Sequence, residues 1–432
     1  MLKLLIISLH YPPDNIIAAR RSEAYARHFY KFGVVPTIVT DIFEKEFDKK
    51  GNWIAYKSHK PNTKPMIEKY ATHTVIRLPR IETRMQRIQQ FIEKIPVVSP
   101  MFTMLLNMLG HFDMHMLGHY SVYKEHLIEL LKKESFDYIL AIDSPHYHVR
   151  LAAELSKIFH IPYICDFRDL YDNNILNKSY KPKFAKRISN SIIKIYFKHW
   201  LRNVRLITAA STPLANFYSN LTNRSGYCVT NGYEEGYYNF AVNQKSEIFT
   251  ISHTGRLYQN QNWSIFAEGV QLFIEKQNPE NFNVILAGMR KDAGNILQTI
   301  KERIPDEYLK TYSWLDAKDI VRIQLESSIL VLASWHGTVG VYSGKVFEYL
   351  GARKPIIFAP GDNGGVVDQL LKETKAGISA NTPQEVCDFI CEKYNEWVAY
   401  GKVTYKGIEK EISKYSRQKQ VEKAAKLLKL AN

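Results

Sequence analysis
Apolar and polar positions along the chain fall into two alternating regimes. Leu4 to Leu9 reads LLIISL, a near-continuous apolar run of the kind a strand shows when a parallel sheet is covered on both faces. After a proline-containing turn, Ala18 to Phe32 spaces its apolar residues three and four apart among helix formers. Gly33 closes that helix and Val34 to Thr40 supplies another strand, which predicts a βαβ unit. The alternation recurs with Tyr138 to Ile142 as strand, Val149 to Phe159 as helix, and Pro162 to Cys165 and Leu206 to Ala209 as strands. A second series places strands at Phe249 to Thr254, Asn283 to Ala287, Ile329 to Ala333 and Pro355 to Phe358, with helices at Ser264 to Lys276 and Gly344 to Gly351. The fold class this predicts is α/β with two Rossmann-like, doubly wound domains, 1–235 and 236–403. The turn Asn231-Gly232 lies in the linker Tyr227 to Phe240, and a Lys/Glu-rich helical stretch from Tyr405 to Leu430 within 404–432 is expected to return toward the first domain. Ligands of open parallel sheets sit beyond the C-terminal strand ends, so two such domains are expected to face each other across a cleft.

Composition narrows the partner. Lys and Arg number 58 against 43 Asp and Glu, a net charge of +15, while 45% of residues are apolar and 12% aromatic. Such a chain buries a core, which excludes wholesale disorder, and its surplus charge points to nucleic acid, an acidic membrane face or a phosphorylated substrate. No zinc spacing, RNA-binding aromatic motif or helix-turn-helix signal supports nucleic acid. The cysteines Cys165, Cys228, Cys387 and Cys391 are too scattered for a disulfide framework, and the Cys387/Cys391 pair lacks the neighbours of a zinc site. Met1 to Leu9 is too short for a signal segment and no uninterrupted apolar stretch reaches spanning length. A cytoplasmic protein is expected, with the sequons at Asn177, Asn220, Asn223 and Asn262 as chance matches.

Charged residues gather where the predicted strands end. The first such loop, His10 to Asn15, leads to Arg20 and Arg21, and no glycine occurs between Met1 and Phe32, which argues against a dinucleotide fingerprint. The arginines either hold an anion or are solvated. Asp166-Phe167-Arg168-Asp169 follows the strand ending at Cys165, as a cleft segment or as a self-paired cap. In the second half Thr254-Gly255-Arg256 and Ala287-Gly288-Met289-Arg290-Lys291 each close a strand; glycine permits close backbone approach and arginine matches phosphate oxygens. Ser343-Gly344-Lys345 opens a helix whose backbone N–H groups point at an anion. Lys345 there opposes the helix dipole unless a ligand compensates it, and Glu348, one turn on, can accept from a ribose diol.

Between Lys181 and Arg205 lie eight Lys and Arg residues and no Asp or Glu, interleaved with Ile188, Ile192, Ile195, Tyr196 and Trp200 at helical spacing. This reads as an amphipathic element for an anionic membrane surface, or as a helix docked on its own sheet. Pro100 to Tyr120 is Met-rich and apolar, suited to sheet packing or to a lipid-tail groove.

Taken in order, HYPPD (10–14), ARR (19–21), SPHYH (144–148), DFRD (166–169), STPL (211–214), VTNGYEE (229–235), TGRLY (254–258), AGMRK (287–291), GVYSGKVFEYLGARKPII (340–357) and KAGI (375–378) resemble a two-domain (GT-B) glycosyltransferase. Over essentially its whole length the chain is similar to the retaining glycosyltransferase family 4 of surface-polysaccharide type. The resemblance implies a nucleotide-sugar donor held by the second domain through Gly255, Arg256, Arg290, Lys291, Ser313, Trp314, Tyr342, Ser343, Gly344, Lys345 and Glu348. It implies Arg256 and Lys345 on the diphosphate, Glu348 on the ribose and Ser313-Trp314 beside the base. It implies Asp166, Arg168 and Asp169 facing the reacting sugar, and Tyr11, Asn15, Arg20, Arg21 and His146 on the acceptor. Two positions depart from the family pattern: Gly340 stands where the first Glu of Glu-x7-Glu is expected, and Gln261 where a lysine often follows the arginine. No Asp-x-Asp motif occurs, so no metal and no cofactor is expected. The implied partners are the donor, a lipid-linked or oligosaccharide acceptor and an anionic membrane face that the protein meets peripherally. A sugar-nucleotide 2-epimerase shares the fold, but the missing Glu at Gly340 argues against it.

Overall fold
The computed structural model describes residues 1–14, 17–47, 53–56, 58–60, 62–81, 91–92, 95, 117–172, 174–177, 179, 181–238, 247–289, 293–313 and 315–431. They form two compact units, Met1–Thr230 with Val421–Asn432, and Asn231–Gln420.

Unit 1 runs β1 (Leu2–Ile7), α1 (Ile17–His28), β2 (Val34–Asp41), β3 (Lys45–Phe47), β4 (Trp53–Tyr56), β5 (Met66–Lys69), β6 (Thr74–Leu78), α2 (Leu117–Lys133), β7 (Tyr138–Ile142), α3 (Tyr147–Phe159), β8 (Tyr163–Phe167), α4 (Phe184–Trp200), β9 (Leu206–Ala209), α5 (Thr212–Thr222) and β10 (Gly226–Cys228). The main sheet has the order β10-β9-β8-β7-β1-β2-β6-β5, and β3 and β4 form a separate hairpin. All its neighbours are parallel except β5 against β6. Leu4 and Ile6 enter one core with Phe29, Ile38 and Leu140, while Leu5 and Ile7 are buried on the other face; this is why the run carries no alternation. Gly33, at φ +77°, ends the segment after α1 with its N–H donating to Tyr30 O, a left-handed position that suits glycine.

Unit 2 continues with β11 (Phe249–Thr254), α6 (Ser264–Gln277), β12 (Phe282–Ala287), α7 (Gly294–Lys301), β13 (Leu309–Tyr312), α8 (Ala317–Glu326), β14 (Ile329–Leu332), α9 (Gly344–Ala352), β15 (Ile356–Phe358), α10 (Val366–Thr374), β16 (Gly377–Ser379), α11 (Pro383–Tyr400), α12 (Glu409–Ile412) and α13 (Arg417–Leu430). Its sheet, β13-β12-β11-β14-β15-β16, is parallel throughout. Along β14, Ile329 and Val331 join the core of Trp263 and Phe266, and Leu330 and Leu332 join that of Phe347 and Leu350. Burying each such side chain contributes about 1.5–3 kcal/mol.

The C-terminal stretch differs from the single helix expected over Tyr405 to Leu430. α12 passes through a 3-10 turn (Ser413–Tyr415) to an extended Ser416 before α13 begins. Buried Ser416 bridges Tyr233, and a Cβ on Gly232 would stand 2.6 Å from the Tyr415 carbonyl oxygen, so glycine is required for that approach. Unit 2 therefore starts at Asn231 and extends to Gln420. Val421, Ala424, Ala425 and Leu428 of α13 complete the unit 1 core.

Candidate functional site
In unit 2 the strand order reverses between β11 and β14, and the loops leaving those strands diverge. β11 ends at Thr254 and passes to Gly255, whose N–H donates to Ala287 O at 2.7 Å. Gly288 follows at φ +98°, and a Cβ on it would stand 3.0 Å from the Gly255 carbonyl. A Cβ on Gly255 would in turn approach Lys345 Cε to 3.2 Å. Two glycines thus thin the strand ends: Gly288 packs against the Gly255 backbone, and the Lys345 stem lies across Gly255.

Lys345 stands in the first turn of α9, where the N-cap Ser343 Oγ accepts from its N–H at 3.3 Å. No acid occupies that turn, so the ammonium and the helix dipole add positive charge at one place. Glu348 offsets it: Lys345 Nζ donates to Glu348 Oε2 at 2.7 Å, with the side chains 23% and 29% exposed. Burial opposes the charge on Glu348, but Lys345 and the Gln324 amide outweigh it and hold the carboxyl below its ordinary value. Gln324 Nε2 also donates to Thr254 Oγ1 at 2.7 Å, and the Thr254 N–H donates to Tyr349 Oη at 2.9 Å. Beneath them the buried His253 donates Nδ1–H to Val331 O at 3.0 Å. Burial pulls its pKa down to about 4, so it is a neutral brace. Sequence reasoning missed Gln324, Tyr349 and His253, because a buried polar residue inside an apolar pattern carries no local signal of its partner.

The remaining donor-side residues surround this pair unevenly. Arg256 is exposed, its guanidinium 5.1 Å from the Tyr258 ring centroid. Ser313 is exposed just past β13, and half-buried Tyr342 lies against Phe347 with ring centroids 5.2 Å apart. Gln261 links the two loops: its Oε1 accepts from the Tyr258 N–H and its Nε2 donates to Ala333 O, each at 3.0 Å. An amide strut therefore stands where a lysine had been sought. Gly340 is buried at φ +75°, a backbone role. Asn15, Arg290, Lys291, Trp314 and most of the Met-rich Pro100 to Tyr120 segment lie outside the described residues.

Unit 1 reverses between β1 and β7, and there charges meet charges. Arg21 Nε and Nη2 donate to Asp166 Oδ2 and Oδ1 at 2.6 and 2.7 Å, with side chains 4% and 0% exposed. Tyr25 and Thr208 hydroxyls donate to the same carboxylate, and Arg21 also donates to the Val229 and Thr230 carbonyls. These two residues, expected to face acceptor and sugar, instead tie α1 to β8 and to the chain after β10. Tyr11, also expected at the acceptor, is buried with its hydroxyl 3.1 Å from His73 Nε2. Arg20 Nη1 donates to Glu23 Oε2 at 3.2 Å. His146 Nδ1 lies 2.9 Å from Asp143 Oδ1, and His10 Nδ1 lies 2.7 Å from Asp14 Oδ2. Beyond β8, Arg168 is half-buried and Asp169 exposed. His148 is buried, with Nδ1–H donating to Ile142 O at 2.9 Å, and burial lowers its pKa to about 4.

Two doubly wound parallel sheets, each with functional groups at its C-terminal edge, define a two-domain α/β protein of the GT-B type. The full chain superposes on sucrose-phosphate synthase from Thermosynechococcus elongatus with a TM-score of 0.61 at 12% identity, covering 100% of this chain and 99% of that one. It matches HepE from Anabaena, solved in complex with UDP and glucose, at a TM-score of 0.59 and 11% identity with both chains fully covered. It matches an α,α-trehalose-phosphate synthase (UDP-forming) from Burkholderia vietnamiensis at 0.61 and 10%, covering 100% and 99%. Neither a protein-family profile nor a curated protein sequence matches the chain.

Proposed function
We propose that the protein is a retaining glycosyltransferase that transfers a sugar from a nucleotide-sugar donor to a hydroxyl of a lipid-linked saccharide in surface polysaccharide assembly. The observation that carries the reading is the Lys345–Glu348 pair laid across Gly255 at the strand reversal of unit 2. Lys345 and the first-turn N–H groups of α9 suit a diphosphate, and Glu348 suits the ribose hydroxyls. Without nucleotide the two satisfy each other; binding transfers each to a ligand group of matching charge or polarity. The HepE complexes with UDP and UDP-glucose support this choice of ligand.

As the bond from the sugar to the diphosphate breaks, negative charge accumulates on the leaving oxygen. Lys345 and Arg256 stabilise it while the acceptor hydroxyl attacks the face just vacated. A diphosphate oxygen takes the acceptor's proton, so no protein nucleophile enters the scheme. Within unit 1, Arg168, Asp169 and His146 are the residues offered for acceptor binding, on the loops that follow β8 and β7. The protein works at a cytoplasmic membrane face, where α4 turns Arg187, Lys194, Lys198 and the 65% exposed Ile195 to solvent. Among the described residues no helix is long and apolar enough to cross a membrane.

Thermal unfolding with UDP, GDP and a polynucleotide tests the class. A nucleoside diphosphate at 100 times its Kd raises stability by about 2.7 kcal/mol, and slow hydrolysis of a nucleotide sugar should accompany it. A response to polynucleotide alone would overturn the reading.

A further inference from the structure
One helix of unit 2 buries a residue against its own apolar pattern. α8 reads AKDIVRIQLE, and its one buried residue is Gln324, at 0% exposure, while Ile320, Val321, Ile323 and Leu325 are half-buried. Taking a primary amide out of water is costly unless hydrogen bonds offset the loss. Here Gln324 Nε2 donates to Thr254 Oγ1 at 2.7 Å and to Glu348 Oε2 at 3.4 Å. Thr254 is buried at the end of β11 and is held in turn by Tyr349, whose hydroxyl accepts from its N–H. A single amide therefore ties α8 both to the strand end and to the carboxylate on α9.

The two donors to Glu348 respond differently to an anion. Lys345 Nζ and Gln324 Nε2 both donate to Oε2, and among the described residues no hydrogen bond reaches Oε1. The ammonium sits on a flexible, partly exposed stem, and a diphosphate competes for it directly. The amide is uncharged, buried and fixed by its shorter bond to Thr254, so a diphosphate has little hold on it. When Lys345 turns to the ligand, Gln324 is the donor that remains on Oε2, and Oε1 stays available to hydroxyl donors. Without the amide, nothing described would hold the carboxylate in place once the lysine had left. We propose that Gln324 is the positioning residue that keeps Glu348 on the ribose after Lys345 has turned to the diphosphate, and that it thereby sets the preference of the site for a nucleotide carrying both ribose hydroxyls. The inference deepens the donor part of the proposed function and rests on it.

Calorimetric titration of the full chain with UDP, 2′,3′-dideoxy-UDP and inorganic pyrophosphate separates the parts of the ligand, since the dideoxy compound lacks both hydroxyls and pyrophosphate lacks the nucleoside. The unmodified protein should bind UDP about tenfold more tightly than dideoxy-UDP, the worth of one hydrogen bond to a charged group. Gln324→Met keeps the length of the side chain and removes its donor; the ratio should then fall to about twofold while pyrophosphate affinity stays nearly unchanged. Adding Gln324→Met to Glu348→Gln should lower the ratio no further, because both changes act on one contact. Thr254→Val removes the anchor of the amide and should lower the ratio part of the way, and it carries the test where Gln324→Met does not fold. An unchanged ratio in these variants overturns the positioning role. So does a loss of pyrophosphate affinity equal to the loss for UDP, the mark of general damage at the strand end. Failure of the unmodified protein to bind UDP overturns the donor assignment instead, and a ratio near one in it removes Glu348 from the ribose and Gln324 with it.

Discussion

The two units share one strand logic and treat charge at the strand ends in opposite ways. In both, the sheet grows outward on either side of its first strand, β1 or β11. In unit 2 the ends are thinned by Gly255 and Gly288, and the Lys345–Glu348 pair, whose lysine stem lies across Gly255, is partly exposed. In unit 1 the corresponding edge contains a fully desolvated pair, Arg21–Asp166, and two further partnered histidines, His10 and His146. A partly exposed pair exchanges partners at low cost, because water and ligand compete on similar terms. A buried pair with every oxygen occupied does not, since removing one partner strands the other charge. The same fold thus carries a partly exposed, exchangeable pair at the edge of one unit and a desolvated, charge-balanced pair at the edge of the other.

The largest effect that tests this contrast is on stability. Asp166→Ala should cost about 3–5 kcal/mol by leaving Arg21 buried and unpaired, read as a fall in denaturant midpoint. A small cost would mean that the unit 1 edge is as exchangeable as that of unit 2. Lys345→Ala should do the reverse, leaving the melting temperature nearly unchanged while lowering transfer or donor hydrolysis by about 10²–10³. Near wild-type turnover would place the diphosphate elsewhere.

Acid tests both units together. His148 and His253 titrate at about 4 in the folded chain against 6.5 as free groups, so the unfolded chain takes up protons first. The stability they contribute is present above pH 6.5 and is lost as pH falls toward 4. In unit 1 burial pushes Asp41 up to about 6, which acts in the opposite sense by lowering stability as pH rises through its range. His253→Asn and His148→Asn should therefore each flatten the acid slope by a similar amount, one in each unit, whereas Asp41→Asn should steepen it, as followed by chemical denaturation at several pH values. An unchanged slope would show that His253 is not held neutral by burial.

A smaller effect is expected for Glu348→Gln. An amide accepts from a ribose diol less strongly than a carboxylate, so UDP affinity should fall by about tenfold; unchanged affinity removes Glu348 from the ribose. A separate effect, read on vesicles rather than on the fold or on UDP binding, concerns the outer face of α4. Each Lys or Arg near an anionic surface contributes about 1 kcal/mol, so changing Arg187, Lys194 and Lys198 to Gln should release the protein from vesicles rich in anionic lipid, as raised salt should for the unmodified protein. Equal sedimentation with neutral vesicles would point to apolar contact instead.

Periodicity alone was enough to read the two α/β units, because a strand covered on both faces needs an apolar run and its connecting helix needs a stripe, and both are local patterns. The positions of Gly255, Lys345 and Glu348 were legible for the same reason: glycine at a strand end and lysine in a helix first turn are unusual choices without a ligand. Some short elements left too weak a signal, such as β13, where Lys310, Thr311 and Tyr312 are exposed. What sequence could not settle was the fate of individual charges. Arg21 and Asp166 lie 145 residues apart, and whether they face a ligand or each other depends on how far packing removes them from water. Gln261 likewise reads as a lost lysine until its two hydrogen bonds join the loops beyond β11 and β14. The division of the C-terminal stretch at Gln420 also belongs to tertiary structure, since Gly232 must admit the Tyr415 carbonyl before Ser416 can interrupt the helix. Local pattern determines which faces are buried; long-range packing determines which polar groups are buried with them, and desolvation then commits each of those to the protein partners packed around it.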